Sequence, residues 1–211
     1  MSVDQKQLIH ETPWDTLIIL DACRFDVFSK LYEFYLSGSL QKVRSLASCT
    51  RDWLRLTWTE DYQDITYISC NMFMRSQIAH TTHGEHIHEY GHPERFKRVV
   101  DVWIEGLMPE HIEKYALTIP GRKVLHYNFP HKPYYGEVKT QDLRGYCANL
   151  EFVLECVVKL LPKLNGLTVI TSDHGELFSE HGAYHPCSGE YQNDPRLRDV
   201  PWLFQAKPLK G

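Results

Sequence analysis

The 211-residue sequence lacks long apolar runs and a strong charge of one sign. Its longest apolar run, residues 17–20, is far too short to cross a bilayer, so no membrane span is predicted. The formal net charge of −4 supplies no basic field for a polyanion, and no nucleic-acid-binding surface is expected. The N-terminus is polar and does not have the pattern of a signal peptide.

Paired-cysteine motifs are also missing. The six cysteines are scattered without a CxxC pair: Cys23, Cys49, Cys70, Cys147, Cys156 and Cys187. Together with the polar N-terminus, this pattern predicts a cytoplasmic protein in a reducing setting, with most cysteines acting as small buried apolar residues.

The composition that remains is that of an ordinary globular protein, with 43% hydrophobic and 24% charged residues. The length suits one domain, so we predict a single domain over residues 1–211. Within it, the polar and irregular region 80–95 is predicted to be a surface excursion. Oligomeric state has no signal in the sequence.

Short apolar runs alternate with helical patterns along the chain. Strands are predicted at Thr16–Leu20 and at 65–70, 96–103, 123–129, 167–171 and 200–205, and helices at 25–36, 51–58 and 141–164, the first ended by Gly38. This alternation predicts an α/β fold with a mostly parallel central sheet and helices on both faces.

Acidic and imidazole side chains follow three of these strands. Asp21 and Asp173 each come directly after a predicted strand, and the segment 126–131 lies at the end of another. Ligands gather at the carboxyl ends of parallel strands. We therefore expect these side chains to meet at one edge of the sheet.

The segment Ser172-Asp173-His174-Gly175-Glu176 carries the most specific signal. A carboxylate and an imidazole in one tight turn can reach one cation, and this pair suits Zn²⁺ or Mn²⁺ better than Ca²⁺. Gly175 permits the sharp turn. The simpler interpretation is a polar turn in which Asp173 caps a helix, as Asp21 would in its own segment.

Three possible nucleophiles, Ser48, Cys49 and Thr50, precede the predicted helix at 51–58. A hydroxyl at a helix N-terminus receives the positive end of the helix dipole, which favours a bound oxyanion. Metal coordination would activate it further. The simpler interpretation is N-capping of the helix by Ser48 or Thr50.

In this order, the segments resemble the alkaline phosphatase superfamily, specifically its sulfatase-like branch. Its motifs are matched at four places: the strand ending in Asp21, the His-Tyr-Asn-Phe-Pro-His-Lys-Pro-Tyr run at 126–134, the Thr-Ser-Asp-His-Gly-Glu run at 171–176 followed by Glu-His-Gly at 180–182, and Arg-Asp-Val-Pro-Trp at 198–202. The resemblance covers residues 15–204.

This resemblance implies a site and a reaction. Asp21, Thr50, Asp173 and His174 would hold a divalent metal, and Thr50 would form a covalent ester that water releases. His131 and His185 would contact substrate oxygens or assist the leaving group. One or two ions per chain are implied, Zn or Mn rather than Ca or Mg, with His126, His181 and His185 as candidates for a second.

One departure separates the chain from sulfatases. Their Cys/Ser-x-Pro-x-Arg motif, whose first residue becomes formylglycine, is replaced by Cys49-Thr50-Arg51-Asp52-Trp53, without the proline and with the arginine too early. The predicted function is therefore metal-dependent hydrolysis of phosphate esters, or phosphotransfer, on an anionic ester substrate. Arg24 or Arg51 is a candidate phosphoryl ligand.

Two alternative functions stay open. The first is a sulfatase acting on sulfate esters, either without formylglycine or after modification of Cys49. The second is a non-catalytic metal-binding module, which the short chain suggests.

Overall fold

The computed structural model describes residues 3–76, 88–103, 105–134, 142–179 and 182–209. The strands are β1 (Val3–Asp4), β2 (Thr16–Leu20), β3 (Leu36–Arg44), β4 (Tyr62–Ser69), β5 (Phe96–Asp101), β6 (Arg122–Tyr127), β7 (Thr168–Thr171), β8 (Leu177–Ser179), β9 (Gly182–Tyr184) and β10 (Asp199–Pro208). The helices are α1 (Gln5–Glu11), α2 (Phe25–Leu31), α3 (Thr50–Thr57), α4 (His88–Gly91), α5 (Pro109–Thr118), α6 (Leu143–Leu160) and α7 (Pro195–Arg198).

Eight strands form one sheet in the order β1-β3-β10-β7-β2-β6-β4-β5, and β8 and β9 form a separate hairpin. Strands β7, β2, β6, β4 and β5 run parallel to one another, whereas β10 is antiparallel to both β3 and β7. The predicted α/β fold with a mostly parallel sheet is confirmed.

The central strand β2 explains why both faces of the sheet are covered. Leu17 and Ile19 point into a core that includes residues of α1 and α3, whereas Ile18 and Leu20 point into a core built with α2, α5 and α6. Side chains alternate across a strand, so a run that is apolar at every position must be buried on both sides. In β2 all five residues are buried.

The predicted helix at 25–36 is too long. The structure ends α2 at Leu31, continues with a 3-10 turn at Tyr32–Phe34, and begins β3 at Leu36. Gly38 lies inside β3, where an added Cβ would meet the backbone oxygen of Phe204 on β10 at 2.8 Å. This glycine allows two strands to approach closely and does not end a helix.

The predicted helix at 141–164 is observed as α6 with a following 3-10 turn at Leu161–Lys163. Asp142 caps it by accepting hydrogen bonds from the backbone N–H groups of Arg144 and Gly145. Gly166, with a φ of 80°, turns the chain into β7. In the described part of the chain, no helix is long and apolar enough to span a membrane.

Part of the predicted surface excursion at 80–95 lies outside the described residues. Its C-terminal end forms α4 and a 3-10 turn at Pro93–Arg95. His181 also lies outside the described residues, so its role as a candidate ligand of a second ion stays a prediction.

Candidate active site

Three adjacent strands end at the same place on the sheet edge. In the register of β7, β2 and β6, Ile19 of β2 is paired with Thr171 on one side and with His126 on the other. Asp21 and Asp173 each lie two residues beyond those paired positions. The parallel register therefore brings the two carboxylates and the His126 imidazole together at the carboxyl ends of the strands.

The turn after β7 is fixed by its backbone. The Ser172 hydroxyl donates to the backbone oxygen of His174 at 2.6 Å and accepts from the backbone N–H of Cys23 at 2.8 Å. A Cβ on Gly175 would meet the backbone oxygen of Arg196 at 1.9 Å, so only glycine fits against that segment. The turn is thus held against both β2 and α7.

His174 is oriented so that one ring nitrogen faces the carboxylates. Its Nδ1 lies 2.7 Å from the backbone oxygen of Gly175, to which it donates. That bond leaves the Nε2 lone pair directed at Oδ1 of Asp21 and Oδ2 of Asp173, each 3.5 Å away. A carbonyl that fixes the tautomer in this way is the usual partner of a metal-binding histidine.

Thr50 is the first residue of α3 and is 4% exposed. Its hydroxyl lies 3.1 Å from Nε2 of His174. The neighbouring candidates point elsewhere, since Ser48 donates to the backbone oxygen of Pro186 at 2.6 Å and Cys49 forms a disulfide with Cys187. Of the three adjacent candidates, Thr50 is the one whose reactive atom reaches the carboxylates. We call Asp21, Thr50, Asp173 and His174 the inner cluster.

The pKa values of the two carboxylates are shifted in opposite directions. Burial and the adjacent Asp173 raise the pKa of Asp21 well above its usual value, although Asn71 donates to its Oδ2 at 2.8 Å. Burial acts in the same direction on Asp173, but His174 and His126 outweigh it and its pKa is lowered. The backbone N–H of Ala22 also donates to Asp173 at 3.1 Å.

The inner cluster leaves buried atoms without hydrogen-bond partners, namely Oδ1 of Asp21 and Oδ2 of Asp173. Unpaired buried oxygens of two carboxylates are costly, and a shared cation removes that cost. The ligand atoms of Asp21, Asp173 and His174 all lie within 4.8 Å of one another. Two carboxylates, an imidazole and a hydroxyl form a donor set that fits Zn²⁺ or Mn²⁺.

His126 lies beneath this cluster and is completely buried. Its Nε2 is 3.8 Å from Oδ2 of Asp173 and has no hydrogen-bond partner, while its Nδ1 contacts the Tyr67 hydroxyl at 2.9 Å. Burial lowers the pKa of His126 to about 4, so the imidazole is neutral at physiological pH. A neutral imidazole facing a carboxylate can serve as an additional ligand.

His131 and His185 form a second group, which we call the outer pair. Their Nε2 atoms are 2.8 Å apart, and the His185 ring lies 4.4 Å from the ring of His174. Burial lowers the pKa of His131 to about 4 and that of His185 well below its usual value. Both are therefore neutral in this setting and can exchange a proton with each other or with a bound ester.

Glu176, the last residue of the Thr-Ser-Asp-His-Gly-Glu run, lies beside the outer pair and is completely buried. Neither of its oxygens has a hydrogen-bond partner. Burial raises its pKa to about 8 against the lowering effect of Lys132. The Asp-His-Gly-Glu run contained this residue, but nothing in its spacing showed that its side chain turns inward.

Gln5 is a supporting residue that no local sequence pattern predicts. Its amide is completely buried, donates to Oγ1 of Thr171 at 2.8 Å and to the backbone oxygen of Ser172 at 2.5 Å, and accepts from Nε1 of Trp53 at 2.9 Å. One side chain thus joins the helix that carries Thr50 to the strand end that carries Asp173.

The two candidate phosphoryl-binding arginines are engaged elsewhere. Arg24 pairs with Asp26 at 2.7 Å and donates to the backbone oxygen of Glu176 at 3.3 Å. Arg51 contacts Asp52 at 3.4 Å and lies over the ring of Tyr90. Neither arginine lines the pocket beside the inner cluster.

That pocket has a volume of about 280 Å³. Asp21, Thr50, His131 and His185 form one side of it, next to Asn128 and Lys132. The remaining described lining comes from the chain segments that follow β4 and β5 and from Pro133. A small ligand in this pocket would lie directly against the Thr50 hydroxyl.

No family model matches the sequence, and no curated protein does. Solved structures do match. The soluble domain of lipooligosaccharide phosphoethanolamine transferase A from Neisseria meningitidis is 14% identical with a TM-score of 0.61, and the match covers 91% of this chain and 75% of that domain. A second structure is named as the integral membrane protein lipooligosaccharide phosphoethanolamine transferase A from the same organism, and the match covers 47% of that protein's chain.

Two further structures are named as C-terminal periplasmic domains. That of phosphoethanolamine transferase EptC from Campylobacter jejuni is 12% identical, with a TM-score of 0.51 over 90% of this chain and 78% of that one. That of EcEptC from Escherichia coli, in a complex with Zn, is 12% identical, with a TM-score of 0.55 over 91% and 72% of the two chains.

The predicted cytoplasmic location is wrong by this comparison, because the similar structures are periplasmic domains. The predicted reducing setting also does not fit the bond between Cys49 and Cys187, since a disulfide persists in oxidising compartments. At these identities the likeness concerns the fold. The chain has the fold of the alkaline phosphatase superfamily, as its resemblance to the sulfatase-like branch predicts.

Proposed function

We propose that this chain is a metal-dependent enzyme that transfers or hydrolyses the phosphoryl group of a phosphate ester, with Thr50 as its nucleophile. The observation that carries this proposal is the position of the Thr50 hydroxyl, 3.1 Å from Nε2 of His174 at the rim of a pocket that also exposes Asp21. The hydroxyl stands at the N-terminus of α3, where the helix dipole favours a bound anion.

Asp21, Thr50, Asp173 and His174 would hold the cation, for which Zn or Mn suits the donor set best. A divalent cation there would lower the pKa of the Thr50 hydroxyl and neutralise negative charge on the transferring group. Asn128, whose Nδ2 is buried without a partner, and Lys132 line the same pocket and would bind phosphoryl oxygens.

In the first step, Oγ of Thr50 bonds to phosphorus while the bond from phosphorus to the ester oxygen breaks. The hydroxyl proton passes to the outer pair, whose imidazoles are neutral and accept it, and the outer pair then gives this proton to the departing alcohol oxygen. In the second step, water or an acceptor alcohol attacks the phosphothreonine and restores Thr50. The acceptor decides between hydrolysis and transfer.

The similar structures support phosphoester chemistry, since two of them are named phosphoethanolamine transferases and the EcEptC domain is a Zn complex. They also support a location outside the cytoplasm. The sulfatase alternative is weakened at Cys49, because a disulfide sulfur is not available for conversion to formylglycine. A sulfatase would have to use Thr50 instead.

The test is turnover of p-nitrophenyl phosphate and p-nitrophenyl sulfate by the protein loaded with Zn²⁺ or Mn²⁺, compared with Thr50→Ala and Thr50→Ser. We expect phosphate turnover, a loss of at least about a thousandfold in Thr50→Ala, and partial retention in Thr50→Ser because it keeps a hydroxyl. Unchanged turnover in Thr50→Ala would refute the nucleophile. Faster sulfate turnover would favour a sulfatase, and bound metal without any turnover would favour the non-catalytic module.

A further inference from the structure

The pocket beside Thr50 has two chemically different sides. Its polar side is formed by residues that follow β2 and β6, together with His185. Its other side is formed by Met72, Phe73, Trp103 and Leu107, which follow β4 and β5. We call these four residues the apolar side of the pocket. Since β6, β4 and β5 are neighbours in the sheet, the pocket extends along the sheet edge away from the inner cluster.

The turn after β4 is tied directly to the inner cluster. Asn71 donates to Asp21 through Nδ2 at 2.8 Å and accepts from the backbone N–H of Phe73 through Oδ1 at 2.9 Å. The backbone N–H of Met74 also donates to the backbone oxygen of Asn71 at 3.2 Å. Met72 and Phe73 are therefore held at a set distance from Asp21.

The segment after β5 is anchored in a similar way. The backbone N–H of Val102 donates to the backbone oxygen of Ser69 at 2.9 Å. The backbone N–H of Gly106 donates to the backbone oxygen of Val102 at 3.2 Å. Trp103 and Leu107 flank this turn, and Leu107 also packs against the large hydrophobic core. A half-buried indole beside a pocket offers a large apolar surface to a ligand.

Charge is scarce in the lining. Among the described residues that line the pocket, the charged side chains are Asp21, which belongs to the inner cluster, and Lys132. A cationic group at the apolar side would thus find no carboxylate of its own among the described lining residues, and a polyhydroxy group would find few described partners for its hydroxyls. An alkyl or aryl group would bury apolar area without those costs.

We propose that the substrate is a small phosphate ester whose alcohol part is uncharged and apolar, and that the apolar side of the pocket binds this part while Thr50 faces the phosphoryl group. This inference rests on the proposed function and names the substrate class for the same site. The pocket volume of about 280 Å³ is near the lower end for ligand pockets, which fits a short alkyl or a single aryl group.

The test uses non-hydrolysable alkylphosphonates as probes, because their binding is measured by calorimetry without any turnover. The full chain, loaded with Zn²⁺, is titrated with methyl-, ethyl-, propyl- and butylphosphonate and with 2-aminoethylphosphonate. We expect Kd to fall about fourfold for each added methylene, which is the value of one buried CH₂. Propylphosphonate should bind at least about tenfold tighter than 2-aminoethylphosphonate, which has the same number of heavy atoms.

Two variants assign the effect to the apolar side. Trp103→Ala and Leu107→Ala should each flatten the chain-length series and leave the affinity for methylphosphonate within about twofold. The matched control is Leu117→Ala, because Leu117 is 47% exposed on α5 and lines a separate pocket with the residues that precede β6. The Kd values of Leu117→Ala for the alkylphosphonates should equal those of the parent. If Trp103→Ala fails to fold, Leu107→Ala carries the test.

The outcomes separate this inference from the proposed function. The inference would be overturned by any of three results. These are a Kd that does not change with alkyl chain length in the parent, tighter binding of the aminoethyl probe, or no binding of any phosphonate. A steep series without p-nitrophenyl phosphate turnover would support the apolar subsite and refute catalysis. Turnover with a flat series would leave the proposed function standing and refute the substrate class.

Discussion

The inner cluster and the outer pair differ in how the chain holds them. Asp21 and Asp173 directly follow buried central strands, and their neighbours are fixed by backbone hydrogen bonds. His131 and His185 lie on connecting segments, and the loop of His185 is tied to α3 by the Cys49–Cys187 disulfide. The comparison teaches that the positions of the inner-cluster carboxylates depend on the sheet, whereas the positions of the outer imidazoles depend on loop attachments that can be altered separately.

The largest effect is expected from Asp173→Asn, which nearly preserves shape but removes the charge at the centre of the inner cluster. The amide supplies a weaker ligand atom and leaves Asp21 as the one carboxylate of the cluster. We expect Zn content near zero after dialysis and a loss of turnover of at least about a thousandfold. Metal analysis of the purified variant checks this, and stoichiometric Zn in Asp173→Asn would contradict the assignment.

Next in size is His185→Ala, which tests whether the two regions are separable. Loss of a proton-transfer group lowers kcat by about a hundredfold, while Zn content should stay at the parent level. His131→Ala should behave similarly, because the two Nε2 atoms share one hydrogen bond. Loss of Zn from His185→Ala would show that the outer pair also holds the cation and would break the comparison.

A smaller effect on activity is expected from Cys187→Ser. Without the disulfide, the hydrogen bond from Ser48 to Pro186 remains as a described side-chain attachment of the His185 loop to the start of α3. We expect kcat to fall about tenfold at unchanged Zn content, with about 2–4 kcal/mol lost from the free energy of unfolding. Cys147→Ser, which removes a half-buried free thiol, is the control. Equal kcat in both variants would refute the positioning role.

The smallest effect on turnover is expected from Gln5→Ala, which leaves Trp53 Nε1 and the Ser172 backbone oxygen without their described partner. Buried unpaired groups cost about 1–3 kcal/mol each, so urea unfolding should show a loss of about 2–6 kcal/mol for the two groups. The Kd for Zn should weaken severalfold. Gln7→Ala on the exposed side of α1 is the matched control, and equal stability of the two variants would contradict the role of Gln5.

The residues of the inner cluster can be predicted from the sequence more readily than the rest of the site, and the reason is physical. Asp21 and Asp173 follow buried apolar strands, and parallel strands end at a common edge, so local pattern is enough to bring them together. The pairing of Cys49 with Cys187 and the contacts of Gln5 with Thr171 join residues that are 138 and 166 positions apart. No local pattern records such contacts.

The fold shows the same limit. Strands with continuous apolar runs, such as β2 and β7, can be predicted from the sequence because both of their faces are buried. Strand β3 is exposed at most of its positions and contains Gly38, so its pattern resembles a helix end and a loop. Its place in the sheet comes from pairing with β10, which is distant in sequence.

The contact between Gln5 and the end of β7 has a consequence for how the molecule is made. A chain emerging from the ribosome exposes α1 long before residues 171 and 172 exist, so the amide of Gln5 and the indole of Trp53 must wait for them. Closing so long a loop is entropically costly and slow. Completion of the inner cluster is thereby postponed until the C-terminal third has been synthesised, and a prematurely terminated chain would contain Thr50 on α3 without Asp173 and His174.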